Sequence, residues 1–322
     1  MSRLNLFRCW AESAVNGAGG GVIYYGKVLL KGLAMGAADV VPGVSGGTIA
    51  FISGIYPTLI KSLSGFDRTA LQLLRSGQWR GLSAHLELPF LAALLSGIVF
   101  SVFALSGIIH HLLNTQPLPV WGFFFGLILA SVVFLLRQQP RLDWRDGSLL
   151  AAGAAVALAI SNAPPLALEP SWPALFGGGA LALCAMILPG ISGSFILLIL
   201  GLYPTLVAAF AQRDLTVLAL FVSGGITGLL SFSHLLRYLM QRFERQVVAT
   251  MSGFLLGSLA IIWPWQHPHS NTGVEQHGHL SPQQFAALYG DAQLAVTTAA
   301  MVAGLVLLFA VEWTALRGKR RL

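Results

Sequence analysis

Two short runs hold most of the residues that could grip a charged ligand: Val41-Pro42-Gly43-Val44-Ser45-Gly46-Gly47-Thr48 and Leu188-Pro189-Gly190-Ile191-Ser192-Gly193-Ser194. In each, proline (Pro42, Pro189) stops a helix, because it cannot donate and biases its predecessor toward extended geometry. Glycine (Gly43, Gly190) permits the chain to reverse, and serine (Ser45, Ser192) is a good cap for the helix that follows. The next residues are small, so the first-turn N–H groups of the new helix would stay open. Such a helix start carries partial positive charge and binds anions, phosphate above all. The pattern therefore predicts an anion held by Ser45, Gly46, Gly47 and Thr48 on one side and Ser192, Gly193 and Ser194 on the other, without a buried Arg or Lys. The competing reading is a pair of tight turns whose glycines serve close helix packing.

Ionisable residues near these runs are few. Asp39 stands three residues before Pro42, in an apolar context where an ionisable group is functional by default, so it is a candidate for proton or cation coupling; the alternative is that it caps its own turn. His234 and Arg237, one turn apart, are candidates to receive an anionic headgroup, with snorkelling toward the interface as the plainer reading. His110 and His111 are read in the same way, and Glu87 and Glu312 as interfacial residues. Segment 265–292 carries His267, His269, His277 and His279 but neither the cysteines nor the helical register of a metal site, so it reads as a solvated loop and no metal is expected. Cys9 and Cys184 cannot make a disulfide framework, and Cys184 reads as a small buried hydrophobe.

The elements that position these residues follow from composition. Of 322 residues 55% are hydrophobic and 10% charged, too few charges to cover a soluble surface of this size. The formal charge of +7 sits between apolar stretches, as topology determinants do, with no basic stripe for nucleic acid. Residues 1–20 have no continuous apolar core and no small-residue cleavage site, so no removable signal peptide is expected. Spans are expected at 88–112, 119–136, 147–163, 216–236, 248–264 and 293–313, each near the roughly 20 residues a bilayer crossing needs. Two more apolar segments, 32–59 and 174–211, are broken at Pro42-Gly43 and Pro189-Gly190 and read as re-entrant hairpins. With that topology 18 of the 19 Lys and Arg residues face the cytoplasm, all but Arg213, and both termini lie there.

The hairpins are copies. Gly32 to Leu59 aligns without gaps on Gly179 to Leu206 at an offset of 147, with 13 of 28 positions identical. Weaker matches follow at shorter offsets, Ser96-Gly97 on Ser223-Gly224 and Gly122-Phe123 with Gly126 on Gly253-Phe254 with Gly257. Residues 1–31 read as a cytoplasmic and interfacial lead, 32–163 and 174–313 as the repeats, and 314–322 as a basic tail. Each repeat is one hairpin plus three spans, an odd number of crossings, so the second copy is expected upside down. The expected fold is an all-α polytopic membrane protein with two inverted-topology repeats whose hairpin tips meet at mid-membrane, as in many secondary transporters.

The doubled motifs, Asp39-x-x-Pro42-Gly43-Val44-Ser45-Gly46-Gly47-Thr48 and Leu188-Pro189-Gly190-Ile191-Ser192-Gly193-Ser194, each followed by Gly-x-Tyr-Pro-Thr, resemble the bacterial polyprenyl-phosphate transporters (PopT), long catalogued as a domain of unknown function. The resemblance covers roughly residues 25–315. It implies a multi-pass inner-membrane protein that returns undecaprenyl phosphate from the periplasmic to the cytoplasmic leaflet, recycling the carrier for peptidoglycan, with a lipid as its partner and no cofactor beyond a coupled proton or sodium ion. An integral polyprenyl-diphosphate phosphatase is the enzymatic alternative; its turn continues into arginine beside a glutamate-rich motif, whereas glycine follows both serines here and no Glu-x-x-x-Glu pair occurs. A small-anion transporter would use the same tips.

Overall fold

The computed structural model describes residues 21–41, 44–138, 143–164, 166, 168–267 and 279–319. Among these the chain is helical, and the one extended pairing is an isolated bridge between Gln266 and His279. Arg3, Arg8, Cys9, Pro42, Gly43, Arg141, His269, His277, Arg320 and Arg321 lie outside the described residues. In chain order the helices are α1 (Val22–Val40), α2 (Gly46–Ile52), α3 (Tyr56–Leu63), α4 (Arg68–Arg75), α5 (Trp79–His85), α6 (Leu88–Thr115), α7 (Pro117–Gln138) and α8 (Trp144–Ser161). They continue as α9 (Trp172–Ile187), α10 (Gly193–Ile199), α11 (Tyr203–Gln212), α12 (Leu215–Arg242), α13 (Glu244–Ile261), α14 (Pro282–Tyr289) and α15 (Leu294–Lys319). Short polar side chains start several of them: Asp143 with Asp146 and Ser281 with Gln284 form capping boxes, and Asp214 accepts from the Thr216 and Val217 amides.

Among the described residues three helices are long and apolar enough to cross a membrane: α6, the Pro117–Arg137 stretch of α7, and α12. A fourth span arises if the pair α10 and α11 counts as one. The other expected spans are helices too, but α8 and α13 have 18 residues each, about 27 Å. Arg145 and Asp146, and Glu244 and Arg245, occupy their first turns, so the apolar run is shorter than the helix. Helix α9 has 16 residues, about 24 Å, less than a hydrocarbon core of about 30 Å.

The segments expected to return as single arms are each split in two. Between α2 and α3 the chain turns at Gly54 (φ 75), and between α10 and α11 at Gly201 (φ 74), with α10 and α11 bent by 108°. The cause is the Gly-x-Tyr-Pro-Thr run itself. Glycine takes the left-handed conformation that ends the short helix, and Pro57 or Pro204 in the first turn of the next fixes the new start.

The chain divides into two compact units. In the first, residues 1–106 and 163–248, α1 lies on α6 and α9 lies on α12 through glycines. A Cβ added to Gly32 would fall 2.3 Å from the Leu94 carbonyl oxygen, and one on Gly97 2.3 Å from that of Leu29. The same approach recurs at Gly179 against Phe221 (2.2 Å) and Gly224 against Phe176 (2.0 Å). These are equivalent residues, displaced by 147 on the first helix of each pair and by 127 on the second.

In the second unit, residues 107–162 and 249–322, α7 lies on α15 and α8 on α13. Gly122 and Gly126 abut the carbonyls of Thr297 and Met301, while Gly253 and Gly257 abut those of Leu150 and Ala154. Again the partners correspond, at offsets of 131 and 147. Backbones this close need residues without a Cβ, the recurring solution for helix contacts in membranes. Gly179→Leu is expected to push α9 off α12 and lower stability by about 1–3 kcal/mol, seen as a lower thermal midpoint in detergent. Gly177→Leu, whose Cβ meets nothing within 4 Å, is expected to melt like the parent. Equal midpoints for the two variants would mean the glycine approach is not structural.

Candidate functional site

Within the first unit the two Pro-Gly-x-Ser-Gly breaks touch. The break between α1 and α2 carries Ser45, whose Oγ donates to the Met186 carbonyl at 3.1 Å and lies 3.5 Å from that of Leu188. In return the Gly190 N–H donates to Thr48 Oγ1 at 3.0 Å. A Cβ on Gly47 would stand 2.6 Å from the Ile187 carbonyl oxygen and 2.7 Å from that of Met186, so only glycine lets α2 settle on the end of α9. Pro189 and Gly190 form the second turn, with Gly190 at φ 84, a conformation glycine adopts without penalty. A helix end leaves carbonyls without amide partners, and here the other break supplies one.

The first break is filled by the chain's own groups. Ser45, Gly46, Gly47 and Thr48 are all buried. The Gly47 N–H donates to Ser45 Oγ at 3.1 Å, the Thr48 N–H to the Ser45 carbonyl at 2.9 Å, and the Gly46 N–H to Asp39 Oδ1 at 2.6 Å. A carboxylate from α1 therefore occupies the place where the sequence pattern puts a ligand's anion. Its other oxygen, Oδ2, is buried and has no partner among the described residues.

Helix α1 reaches the far end of α2 as well. Lys31, eight residues before Asp39 and so about two turns earlier, donates from Nζ to the carbonyl of Ser53, the C-cap of α2, at 2.7 Å. An anion at the start and a cation at the end both favour the dipole of α2. Neither recurs in the second copy, where the equivalent residues are Met186 and Gly178.

The second break is open. Ser192 accepts no capping bond, and its Oγ and Ser194 Oγ are paired at 2.9 Å. Among the described residues the amides of Gly193, Ser194 and Phe195 donate to nothing, and Ser194 is exposed. Three unused donors and two hydroxyls gathered at one helix start suit the oxygens of a small anion.

The remaining expected residues stand apart from the breaks. His234 Nδ1 donates to the Leu230 carbonyl of its own helix at 2.7 Å, and Arg237 Nη1 donates to Ser64 Oγ at 3.2 Å. Glu87, at φ 49, pairs with Lys61 Nζ at 2.5 Å. His110 and His111 are exposed on α6. In the second unit His267 bonds to the Tyr289 hydroxyl at 2.7 Å and His279 to the Ala260 carbonyl at 2.9 Å. Cys184 is half-buried with a free thiol. Sequence reasoning missed Lys31 as a partner of α2, although its two-turn spacing from Asp39 placed both on one face of α1.

The exchange between breaks has a direct test. Thr48→Val keeps the shape and orphans the Gly190 amide, with an expected loss of about 1–3 kcal/mol; Thr48→Ser, which keeps the acceptor, is expected to recover most of it. A Thr48→Val protein as heat-stable in detergent as the parent would show that this bond does not hold the breaks together.

Comparison with known proteins identifies the family. The family model for undecaprenyl phosphate translocase-like proteins matches residues 35–280. A polyprenyl-phosphate transporter of Vibrio cholerae serotype O1 is 43% identical over 301 residues, covering 91% of this chain and 98% of that protein. One from Staphylococcus aureus is 32% identical over 255 residues, covering 73% of this chain and 85% of its own. No solved structure matches. With a family model spanning most of its length and a relative this similar end to end, the chain belongs to the polyprenyl-phosphate transporter family.

Proposed function

We propose that this protein carries a polyprenyl phosphate, undecaprenyl phosphate by the family's description, from the periplasmic to the cytoplasmic leaflet of a bacterial inner membrane, and does so without hydrolysing it. The observation that carries the site is the asymmetry of the two breaks. They touch, yet one is filled by Asp39 and the other offers free amides and hydroxyls at Gly193, Ser194, Phe195 and Ser192. The phosphate head sits at the second break while the isoprenoid tail stays in lipid. Ser45, Gly46, Gly47 and Thr48 act one step back, holding the second break in place.

Two features support an inverted pair of repeats, 32–163 and 174–313, each a re-entrant hairpin with three spans, and alternating access between them. The glycine approaches of α1 on α6 and of α7 on α15 recur on equivalent residues of the other copy. The Lys and Arg distribution favours the topology that puts both termini in the cytoplasm. Asp39 is the coupling group: Oδ1 holds the Gly46 amide, and Oδ2 is free to take a proton. Loss of its negative charge loosens the start of α2 and with it the contact between breaks.

The test is transport of a fluorescent polyprenyl phosphate in proteoliposomes, read as headgroup accessibility to an external quencher. Ser194→Leu is expected to cut the initial rate at least about tenfold, the effect of losing bonds to a charged group, with unchanged insertion and thermal midpoint. Asp39→Asn, neutral at every pH, is expected to transport at a rate independent of an imposed pH gradient. Parent-like rates for Ser194→Leu, or phosphate released from the substrate in the same vesicles, would overturn the assignment.

A further inference from the structure

Away from the breaks, the first unit holds a cation with no anionic partner among the described residues. Arg237 on α12 reaches the end of α3, where its Nη1 donates to Ser64 Oγ at 3.2 Å. Ser64 is buried and spends its own proton on the Lys61 carbonyl at 3.1 Å, so a lone pair faces the guanidinium. A guanidinium presents five donors in a planar fork suited to phosphate oxygens, and among the described residues only the one bond to Ser64 uses any of them. Glu87 pairs with Lys61 and Asp67 with His85. Arg237 is half-buried, and a half-buried cation is costly to strand.

The second copy has none of this. In the continuing register Ser64 corresponds to Ala211 and Arg237 to His110. The geometry points to a phosphate-monoester station built on Arg237 and oriented by Ser64, distinct from the open break and without a counterpart at the equivalent positions of the second copy. The phosphate dianion accepts from the guanidinium fork, while Ser64 orients Arg237. His234, one turn earlier on α12 and exposed, has Nδ1 committed to the Leu230 carbonyl. Under the proposed topology Arg237 is cytoplasmic, so the station receives the head after it leaves the breaks. That role, though not the phosphate chemistry, rests on the proposed function.

The experiment is equilibrium binding of radiolabelled farnesyl phosphate to the full chain in detergent, in the parent and in a Ser194→Leu background that disables the open break. In that background one saturable site is expected to remain. Adding Arg237→Gln is expected to weaken it at least tenfold, Arg237→Lys less because it lacks the fork, and Ser64→Ala by a few fold. Inorganic phosphate competing as well as farnesyl phosphate identifies free phosphate as the ligand; competition by polyprenyl phosphates alone identifies the lipid head. If Arg237→Gln lowers the thermal midpoint but leaves the dissociation constant unchanged, Arg237 only braces α3 and the station is disproved. Where Arg237→Gln does not fold, parent-like binding by both Arg237→Lys and Ser64→Ala disproves it equally. Failure of the open-break assignment looks different, since Ser194→Leu alone would then leave transport intact.

Discussion

Backbone polar groups freed by a helix break in an apolar chain are costly to leave unpaired, and here those at the end of α9 find partners on the other break. Pro-Gly-x-Ser-Gly interrupts two apolar segments and leaves carbonyls at Met186 and Leu188 and an amide at Gly190 without helical partners. Ser45 and Thr48 answer them from the opposite break. Because unsatisfied backbone groups are costly away from water, neither break is independent of its counterpart. Gly47 makes the exchange possible by leaving room for the last carbonyls of α9. The position of α2, and hence of Asp39 and Lys31 at its two ends, depends on that contact.

Duplication supplies the frame, and a few substitutions supply the chemistry. Helix approaches of α1 on α6 and α9 on α12 repeat residue for residue, as do those of α7 on α15 and α13 on α8. These are backbone contacts, which survive divergence as long as glycine remains. The side chains that carry charge or hydrogen bonds differ between copies: Asp39 against Met186, Lys31 against Gly178, Thr48 against Phe195. One break closed by Asp39 and one left open are therefore chemically different places on a repeated frame. The same one-sidedness sets Arg237 and Ser64 at one end, with His110 and Ala211 as their equivalents.

Asp39 shows how a single residue joins structure and proposed coupling. One oxygen caps α2 and the other is buried without a donor. A carboxylate so placed acts as a surrogate for the anion the break would otherwise bind. Of the two readings open from the sequence, coupling and capping, the capping contact is visible, and it is the reason a change in protonation would be felt at the contact between breaks.

Membrane character, the duplication, the helix-breaking Pro-Gly turns and the family resemblance were legible from one sequence, because each depends on composition or on residues close in the chain. Proline and glycine act within a turn of themselves, and apolar runs announce spans by length. The return arms were only half legible: the Gly-x-Tyr-Pro-Thr run was visible, but the 108° bend it makes between α10 and α11 was not. What tertiary structure alone decided was the division of labour between the breaks. Identical motifs promise identical anion cups, and whether an amide is free depends on what folding brings against it from about 140 residues away, as Thr48 meets Gly190. Local sequence specifies the donors; only packing determines which of them remain unspent.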